Sequence, residues 1–138
     1  MSGESTTPDL VERMRSLGEA ANVGDFDAML GFFAPDAVWE GTLESTLEGV
    51  AAIRGFWEDW YASYAEFCVE QEEVLDLGNG VVFAVFVQKA RLAGSSGEVG
   101  LRYAAVIVWV EGVIVRVTNY TYPDEGRAAA ERLAEERG

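Results

Sequence analysis

The chain has 138 residues, 49% of them hydrophobic, which suits one compact domain and is too short for two ordinary ones, so we expect a single domain over residues 1–138. Its 24 acidic and 10 basic residues leave a formal net charge of -14, and because such a field repels phosphate backbones and anionic lipids we expect no nucleic-acid or membrane partner. The chain has no histidine, which excludes serine triads, Cys–His pairs and His-based zinc sites.

Two helices are predicted near the start of the chain. Thr7 supplies a hydroxyl cap, Pro8 a first-turn proline and Asp9 an early acid. Apolar residues then recur at helical spacing at Leu10, Met14, Leu17 and Ala21. Gly24 ends this helix, and Asp25 caps a second, short one. The apolar face of the second helix consists of Phe26, Met29, Leu30 and Phe33.

A short strand and a longer helix are predicted next. The segment "APDAVWEG" is typical of a turn into a strand that carries Val38 and Trp39. After a loop, Gly49 precedes a helix over residues 50–66. The broad apolar side of this helix contains Ile53, Phe56, Trp57, Trp60 and Tyr64. An aromatic stripe at helical spacing is more often core than a ligand box, so only Trp60 and Tyr64 are kept as pocket candidates.

From Phe67 onward the pattern is that of strands. We predict strands over residues 67–77, 81–92, 98–110 and 113–122, with tight turns at "GNG" and at Glu111–Gly112. Pro123 ends the last strand, and "DEGRAAAERLAEERG" is a terminal helix or a frayed tail. Helices followed by an antiparallel meander indicate an α+β fold with the helices on one face of a twisted sheet. Such a sheet can hold a pocket at its open end.

The hairpin "AAVIVWVEGVIVRV" is apolar on both of its alternating faces. An antiparallel sheet that met water on one side would alternate, so the second face must also be covered. A homodimer packed sheet against sheet is the simplest cover, and we expect it. The alternative is that the terminal helix folds back over this face.

The lone Cys68 cannot form an internal disulfide, and no metal-ligand spacing surrounds it. We therefore expect a small core or semi-buried residue there, and no metal site. The polar start "MSGESTTPDL" lacks the plan of a signal peptide, and no run of about 18 apolar residues occurs. A cytoplasmic location is the default expectation.

Three segments carry a resemblance to a known family: "GDFDAMLGFFAPDAVWEG", then Gly49 with "VAAIRGFW", then "EGVIVRVTNYTYPDE". In order and spacing they resemble the nuclear-transport-factor-2-like superfamily, and within it the SnoaL-like branch of polyketide cyclases, ketosteroid isomerases and limonene epoxide hydrolases. The resemblance covers residues 8–130. It implies a cone-shaped α+β barrel, usually dimeric, with a mostly apolar pocket. It also implies isomerase, cyclase or hydrolase chemistry on a small apolar molecule, without a cofactor.

The catalytic residues of these branches are replaced in this chain. Resemblance to the steroid isomerases places an Asp base at Gly41 and a Tyr donor at Leu17. Resemblance to the limonene epoxide hydrolases places two Asp and an Arg at Asn119, Gln88 and Phe86. An amide can hold a ligand by hydrogen bonds but cannot take a proton near neutral pH. The alternative function is therefore a binding protein for a small apolar ligand that has lost the family's acidic residues.

Strand alternation and the superfamily pattern together predict the pocket residues. In the last strand, Val115, Val117, Asn119 and Thr121 share the face that the superfamily turns to the pocket, while Ile114, Arg116, Thr118, Tyr120 and Tyr122 share the other. In the strand before it, Tyr103 points inward and Arg102 toward the dimer face or solvent. The predicted ligand-binding set is Trp39, Trp60, Phe86, Gln88, Tyr103, Val117 and Asn119.

Glu40 is the one candidate for a catalytic acid or base, because it is the carboxylate nearest to the predicted mouth. If it points inward among apolar groups, loss of solvation would raise its pKa toward a useful value. Alternation favours the opposite direction, since Glu40 faces out when Trp39 faces in.

Overall fold

In the computed structural model the described residues are 9–42, 45–92, 94 and 97–138. Their elements, in chain order, are α1 (Leu10–Asn22), α2 (Phe26–Leu30), β1 (Phe33–Thr42), β2 (Ser45–Glu48), α3 (Val50–Ala62), β3 (Tyr64–Asp76), β4 (Val81–Leu92), β5 (Glu98–Val110), β6 (Val113–Tyr120) and α4 (Pro123–Arg137). The strands form one curved, unclosed sheet in the order β2-β1-β6-β5-β4-β3. This confirms the predicted α+β class.

Both early helices begin at an aspartate. Asp9 is the N-cap of α1 and accepts a hydrogen bond from the backbone N–H of Glu12 at 3.1 Å, so its role is the cap and not a first-turn acid. Thr7 and Pro8 lie outside the described residues. Asp25 caps α2 as predicted, with its carboxylate 3.1 Å from the backbone nitrogen of Ala28.

Several predicted boundaries were wrong in the first half of the chain. Phe33 belongs to β1, where it lies opposite Ile114, and not to the second helix. The strand β2 falls where a loop was predicted. The third helix ends at Ala62 and Tyr64 already opens β3. The ring of Tyr64 nevertheless packs on the ring of Trp60, with centroids 5.5 Å apart. This is the contact that two residues four apart in a helix would make, which is why the sequence pattern extended the helix too far.

The sheet contains one parallel pair, β1 with β6, among antiparallel neighbours. The register of β5 and β6 shifts so that Trp109 lies opposite Ile114 and Val108 opposite Arg116, which leaves Val115 as an extra residue. Such a bulge reverses the alternation of side chains. Ile114 is consequently fully buried on the same side as Val117, and its predicted outward direction was wrong.

The sheet buries side chains on both faces. On the inner face, α1, α2 and α3 pack against a core that includes Ala105, Ile107 and Val117. On the outer face, α4 covers a second apolar cluster formed by Val81, Phe83, Val85, Ala104 and Val106. The inner face is the one that carries the cavities described below.

The terminal segment is a helix, and it supplies the cover for the second face of the hairpin. Ala130 and Ala134 are buried against the outer face. The side chain of Asn79 donates a hydrogen bond to the carbonyl of Ala134 at 2.6 Å, and Nε of Arg137 donates to the carbonyl of Asn79 at 2.9 Å. The alternative cover is therefore the one observed. The homodimer stays a prediction, but the apolar hairpin is no longer an argument for it because α4 covers the second face.

Two further expectations concern location. Cys68 is exposed on the edge strand β3, opposite the exposed Lys89, so the expectation of a buried or semi-buried thiol was wrong. No helix in the described part of the chain is long and apolar enough to span a membrane. The cytoplasmic location stays a prediction.

Candidate functional site

Two cavities lie between the inner face of the sheet and the helices. The large cavity has a volume of about 260 Å³, and the small cavity about 60 Å³. Four residues line both of them and mark their boundary: Trp39, Trp57, Tyr103 and Asn119. The large cavity is near the small end of the range of ordinary ligand pockets, which is roughly 300–1,000 Å³.

All seven residues of the predicted ligand-binding set line these cavities. Trp60 and Gln88 line the large cavity, Phe86 and Val117 line the small one, and Trp39, Tyr103 and Asn119 line both. Their convergence is as predicted, while their role in binding stays a prediction. Tyr64, the weaker aromatic candidate, is not among the lining residues of either cavity.

Three polar side chains form a diagonal row across the inner face, which we call the polar row: Gln88, Tyr103 and Asn119. The register pairs Gln88 with Leu101, two residues before Tyr103, and pairs Asn119 with Ala105, two residues after it. Diagonal neighbours of this kind lie about 7–8 Å apart, within reach of long side chains. The polar row therefore presents hydrogen-bonding groups from three adjacent strands to one space.

Gln88 is buried, with 5% of its surface exposed. Among the described residues its amide has no hydrogen-bond partner. The ring of Tyr103 stacks on that of Phe86, with centroids 5.3 Å apart, and burial raises the pKa of Tyr103 to about 12. Its phenol is therefore a neutral donor throughout the physiological pH range.

Asn119 holds β6 against β1 at the boundary between the cavities. Its Nδ2 donates a hydrogen bond to the carbonyl of Glu40 at 3.1 Å. Gly41 follows with a φ of +88°, and a Cβ there would lie 2.5 Å from the carbonyl oxygen of Asn119. The backbone thus fills the space in which the steroid-isomerase resemblance expects an acidic side chain.

Glu40 lies outside both cavities. Its carboxylate accepts hydrogen bonds from Arg116 and, at 2.9 Å, from Thr118 Oγ1. Partial burial alone would raise the pKa of Glu40, but these hydrogen bonds and the charge of Arg116 outweigh it and hold the pKa below its usual value. A carboxylate in this state is a poor base and has no access to the cavity, so the structure does not support the catalytic role.

The sequence did not single out several aromatic residues of the cavity wall. Trp57 is largely buried, as the core interpretation predicts, yet it lines both cavities. Its ring is perpendicular to that of Trp39, with centroids 5.8 Å apart. Phe56 stacks on Trp60 at the same distance. Helical spacing predicts that these residues share one side of α3. It cannot predict that a cavity, and not a packed core, borders that side.

The cavities present little charge. Among the lining residues within the described part of the chain, only Arg102, Tyr103 and Tyr120 are ionisable, and none is a carboxylate. The guanidinium of Arg102 is paired with Glu72 at 2.8 Å, which agrees with the predicted outward direction. No group of three or more acidic or thiol side chains that could hold a metal occurs among the described residues.

The family model of the SnoaL-like domain matches residues 14–117. The chain belongs to the SnoaL-like family. A candidate polyketide cyclase from Xanthomonas campestris pv. campestris is 24% identical to it, with 88% of this chain and 95% of that one covered and a TM-score of 0.67. A second candidate polyketide cyclase, from Sinorhizobium meliloti, is 25% identical, with coverages of 82% and 94% and a TM-score of 0.66.

A third similar structure is that of TerC co-crystallised with polyporic acid. It is 15% identical, with 91% of this chain and 97% of that one covered and a TM-score of 0.70. Comparison with curated protein sequences gave no match. At these identities the three structures show that the fold is shared.

Proposed function

We propose that this chain binds a small, largely apolar molecule in the large cavity of its inner face. The observation that carries the proposal is an aromatic-walled cavity that contains amide and phenol groups but, among the described residues, no carboxylate. A site of this composition can hold and orient a ligand by shape and a few hydrogen bonds. Membership in a family that contains polyketide cyclases supports a small organic ligand.

Ligand-induced stabilisation tests the proposal directly. Steroids, terpenes and polyketide-like aromatic compounds, polyporic acid among them, are screened by thermal shift and by intrinsic fluorescence, because three tryptophans line the cavities: Trp39, Trp57 and Trp60. A ligand present at 100 times its Kd stabilises the folded state by about 2.7 kcal/mol. Failure of every compound to raise the melting temperature or change the fluorescence overturns the proposal.

Two variants serve as a matched pair for this screen. Leu101 is 46% exposed and lines the large cavity, whereas Val110 is 39% exposed and does not. Leu101→Trp should obstruct the cavity and weaken binding, while Val110→Trp adds the same ring elsewhere and should leave binding unchanged. Equal effects of the two variants would place the ligand outside the cavity.

A second candidate function is cofactor-free isomerase, cyclase or hydrolase chemistry in the same cavity. The neutral phenol of Tyr103 favours it, because a preorganised donor can stabilise an oxyanion that develops on a substrate. Epoxides, β,γ-unsaturated ketones and activated proton-transfer substrates form the test panel. If turnover is found, Tyr103→Phe should lower it and Glu40→Gln should not. The carboxylate of Glu44 lies outside the described residues, so the Glu44→Gln variant is measured together with the Tyr103 and Glu40 variants.

A further inference from the structure

The aromatic wall of the large cavity carries an inference about the charge of the ligand. We propose that the largely apolar ligand includes a permethylated ammonium group, which the aromatic residues of this cavity hold by cation–π contacts. The inference rests on the proposed binding function, and it adds the chemical class of the ligand. We call the six aromatic residues that line the large cavity the aromatic cage: Trp39, Phe56, Trp57, Trp60, Tyr103 and Tyr120.

The directions of the rings are the first argument. The ring of Trp57 stands at 89° to that of Trp39 and at 84° to that of Phe56. Phe56 and Trp60 are inclined by only 20° and continue one of these walls. A flat aromatic ligand is held best between parallel walls, whereas walls at right angles surround a rounded group from more than one direction. A tetrahedral ammonium group with its shell of methyl groups has this rounded shape.

The electrostatics of the rings are the second argument. The face of an aromatic ring carries partial negative charge and attracts a cation. The chain uses this contact elsewhere, because the guanidinium of Arg13 lies 5.1 Å from the ring centroid of Phe32 and 5.5 Å from that of Trp109. Neither of those rings belongs to the aromatic cage. Within the described part of the chain no cationic side chain lies over the rings of Phe56 and Trp60, so a cationic ligand meets no competitor there.

The charge of the chain is the third argument. Its net charge of -14 draws cations toward the surface and repels anions. Among the described lining residues the one cation is Arg102, whose guanidinium is neutralised by Glu72 at 2.8 Å. Leu101 and Thr121 line the large cavity and are exposed, so the cavity meets water at these residues. A cation bound near them keeps part of its hydration, which lowers the cost of its burial.

The shortage of hydrogen-bond acceptors decides between a methylated and a primary ammonium group. A primary ammonium carries three N–H donors, and each of them needs an acceptor when it leaves water. The described residues that line the large cavity include no carboxylate. Methyl groups in place of the N–H groups remove this requirement and add apolar surface that packs against the rings. The volume of about 260 Å³ leaves room for the apolar remainder of the ligand.

Three small probes separate the effect of charge from that of shape. They are choline, 3,3-dimethyl-1-butanol, in which carbon replaces the ammonium nitrogen, and ethanolamine, which is choline without its methyl groups. Dissociation constants are measured by tryptophan fluorescence and calorimetry. We expect choline to bind about 10-fold more tightly than either of the other two. Addition of salt should weaken the binding of choline and leave that of 3,3-dimethyl-1-butanol unchanged, because salt screens the field of the acidic chain.

Two variants of α3 form a matched pair for these probes. Trp60→Leu removes a ring of the aromatic cage, whereas Tyr61→Leu removes a ring that lines neither cavity and packs on Phe26, with centroids 5.6 Å apart. Trp60→Leu should reduce the advantage of choline over 3,3-dimethyl-1-butanol about 3-fold or more. Tyr61→Leu should leave that ratio unchanged. If Trp60→Leu does not fold by circular dichroism, Phe56→Leu takes its place.

A second matched pair changes the charge beside the large cavity. Glu72→Gln leaves the guanidinium of Arg102 unpaired at the cavity, whereas Glu70→Gln removes the partner of Lys89 at 3.5 Å, and Lys89 lines neither cavity. Both variants change the net charge by the same amount. Glu72→Gln should weaken the binding of choline more than Glu70→Gln does, and neither should alter the binding of 3,3-dimethyl-1-butanol.

The outcomes separate this inference from the function on which it rests. If 3,3-dimethyl-1-butanol binds as tightly as choline, the preference for an ammonium group is wrong and the binding function stands. Equal binding of ethanolamine and choline would assign the attraction to the acidic surface in general, and it too overturns the inference. If none of the three probes binds, the inference fails, while the screen of apolar compounds decides the binding function independently.

Discussion

Asn119 Nδ2 lies 3.1 Å from the backbone carbonyl oxygen of Glu40 and donates a hydrogen bond to it. The bond joins β6 to β1 immediately before Gly41, at a point where the pairing of β1 with β2 also shifts register. Asn119 therefore combines two roles, because the same side chain fixes the backbone of β1 and lines both cavities. The amide at this position has a structural function that a carboxylate could not perform, since a carboxylate cannot donate to a carbonyl.

Substitution of Gly41 should be costly. With its φ of +88° and a Cβ position 2.5 Å from the Asn119 carbonyl oxygen, a side chain there requires both strain and a shift of backbone. We expect Gly41→Ala and Gly41→Asp to lower the free energy of unfolding by about 1–3 kcal/mol or more, measured by urea denaturation. Gly41→Asp should not create steroid-isomerase activity, because the strand must move to admit it.

Gly55 provides the control for this prediction. It lies in α3, and a Cβ added there meets no atom within 4 Å. Gly55→Ala should therefore stabilise the chain by roughly 0.5–1 kcal/mol through helix propensity. Equal stability of Gly41→Ala and the parent chain would contradict the close approach of β1 and β6.

Tyr103 should make stability fall in alkaline solution. Folding raises the pKa of its phenol from 10.0 to about 12, so between these pH values the folded chain keeps a proton that the unfolded chain releases. Its contribution is complete below pH 10 and is lost as the pH rises toward 12, by up to about 2–3 kcal/mol. Tyr103→Phe should flatten this part of the profile of unfolding free energy against pH. Ultraviolet titration of the phenol at 295 nm, in the parent and the variant, identifies the group; titration of this phenol near 10 would contradict its burial.

Glu40 should act on stability in the opposite pH range. Its pKa is held below the ordinary value of 4.5 mainly by Arg116 and Thr118 against the effect of burial. The contribution is thus present above about pH 4.5 and is lost as the pH falls through the folded-state value. Since the Glu40 and Arg116 side chains are 31% and 47% exposed, we expect Glu40→Gln to cost only about 0.5–1 kcal/mol at pH 7.

A double-mutant cycle checks the assignment to this ion pair. Glu40→Gln and Arg116→Gln should each destabilise the chain at pH 7, and the double variant should cost less than their sum. The difference should shrink toward pH 3. Ligand affinity should not change in any of these variants, because the pair lies outside the cavities; a large change in affinity would contradict that position.

Alternation predicted much of the cavity, because the direction of a strand side chain follows from its position alone. Gln88, Tyr103 and Asn119 lie on regular stretches, so their faces were correct. The predicted outward direction of Ile114 was wrong because the extra residue at Val115 reverses the alternation of side chains. The hydrophobic pattern of the sequence does not reveal such a bulge. The strand β2 has only four residues and no long apolar pattern, so the sequence did not predict it.

The local sequence pattern could not predict that Trp57 borders a cavity or that α4 covers the outer face. Whether a buried aromatic residue packs solidly or borders a gap depends on the sizes of side chains that are distant in sequence. Gly41, which lines the large cavity with Trp57, is one such residue. The helix α4 did carry a signal, since Gly126, Ala130 and Ala134 recur every fourth residue and form its buried side. Small residues at this spacing allow a helix to approach a sheet closely.

That close approach gives the last prediction. Ala130 is fully buried between α4 and the outer face, whereas Ala128 on the same helix is exposed. Ala130→Glu should place a carboxylate against Phe83 and its neighbours, lower the free energy of unfolding by about 1–3 kcal/mol and displace the helix. The apolar cluster of the outer face would then be exposed, and we expect self-association in sedimentation velocity. Ala128→Glu should leave stability and the sedimentation coefficient unchanged. If the parent chain already sediments as a dimer and Ala130→Glu dissociates it, α4 forms part of the dimer interface and does not replace a partner.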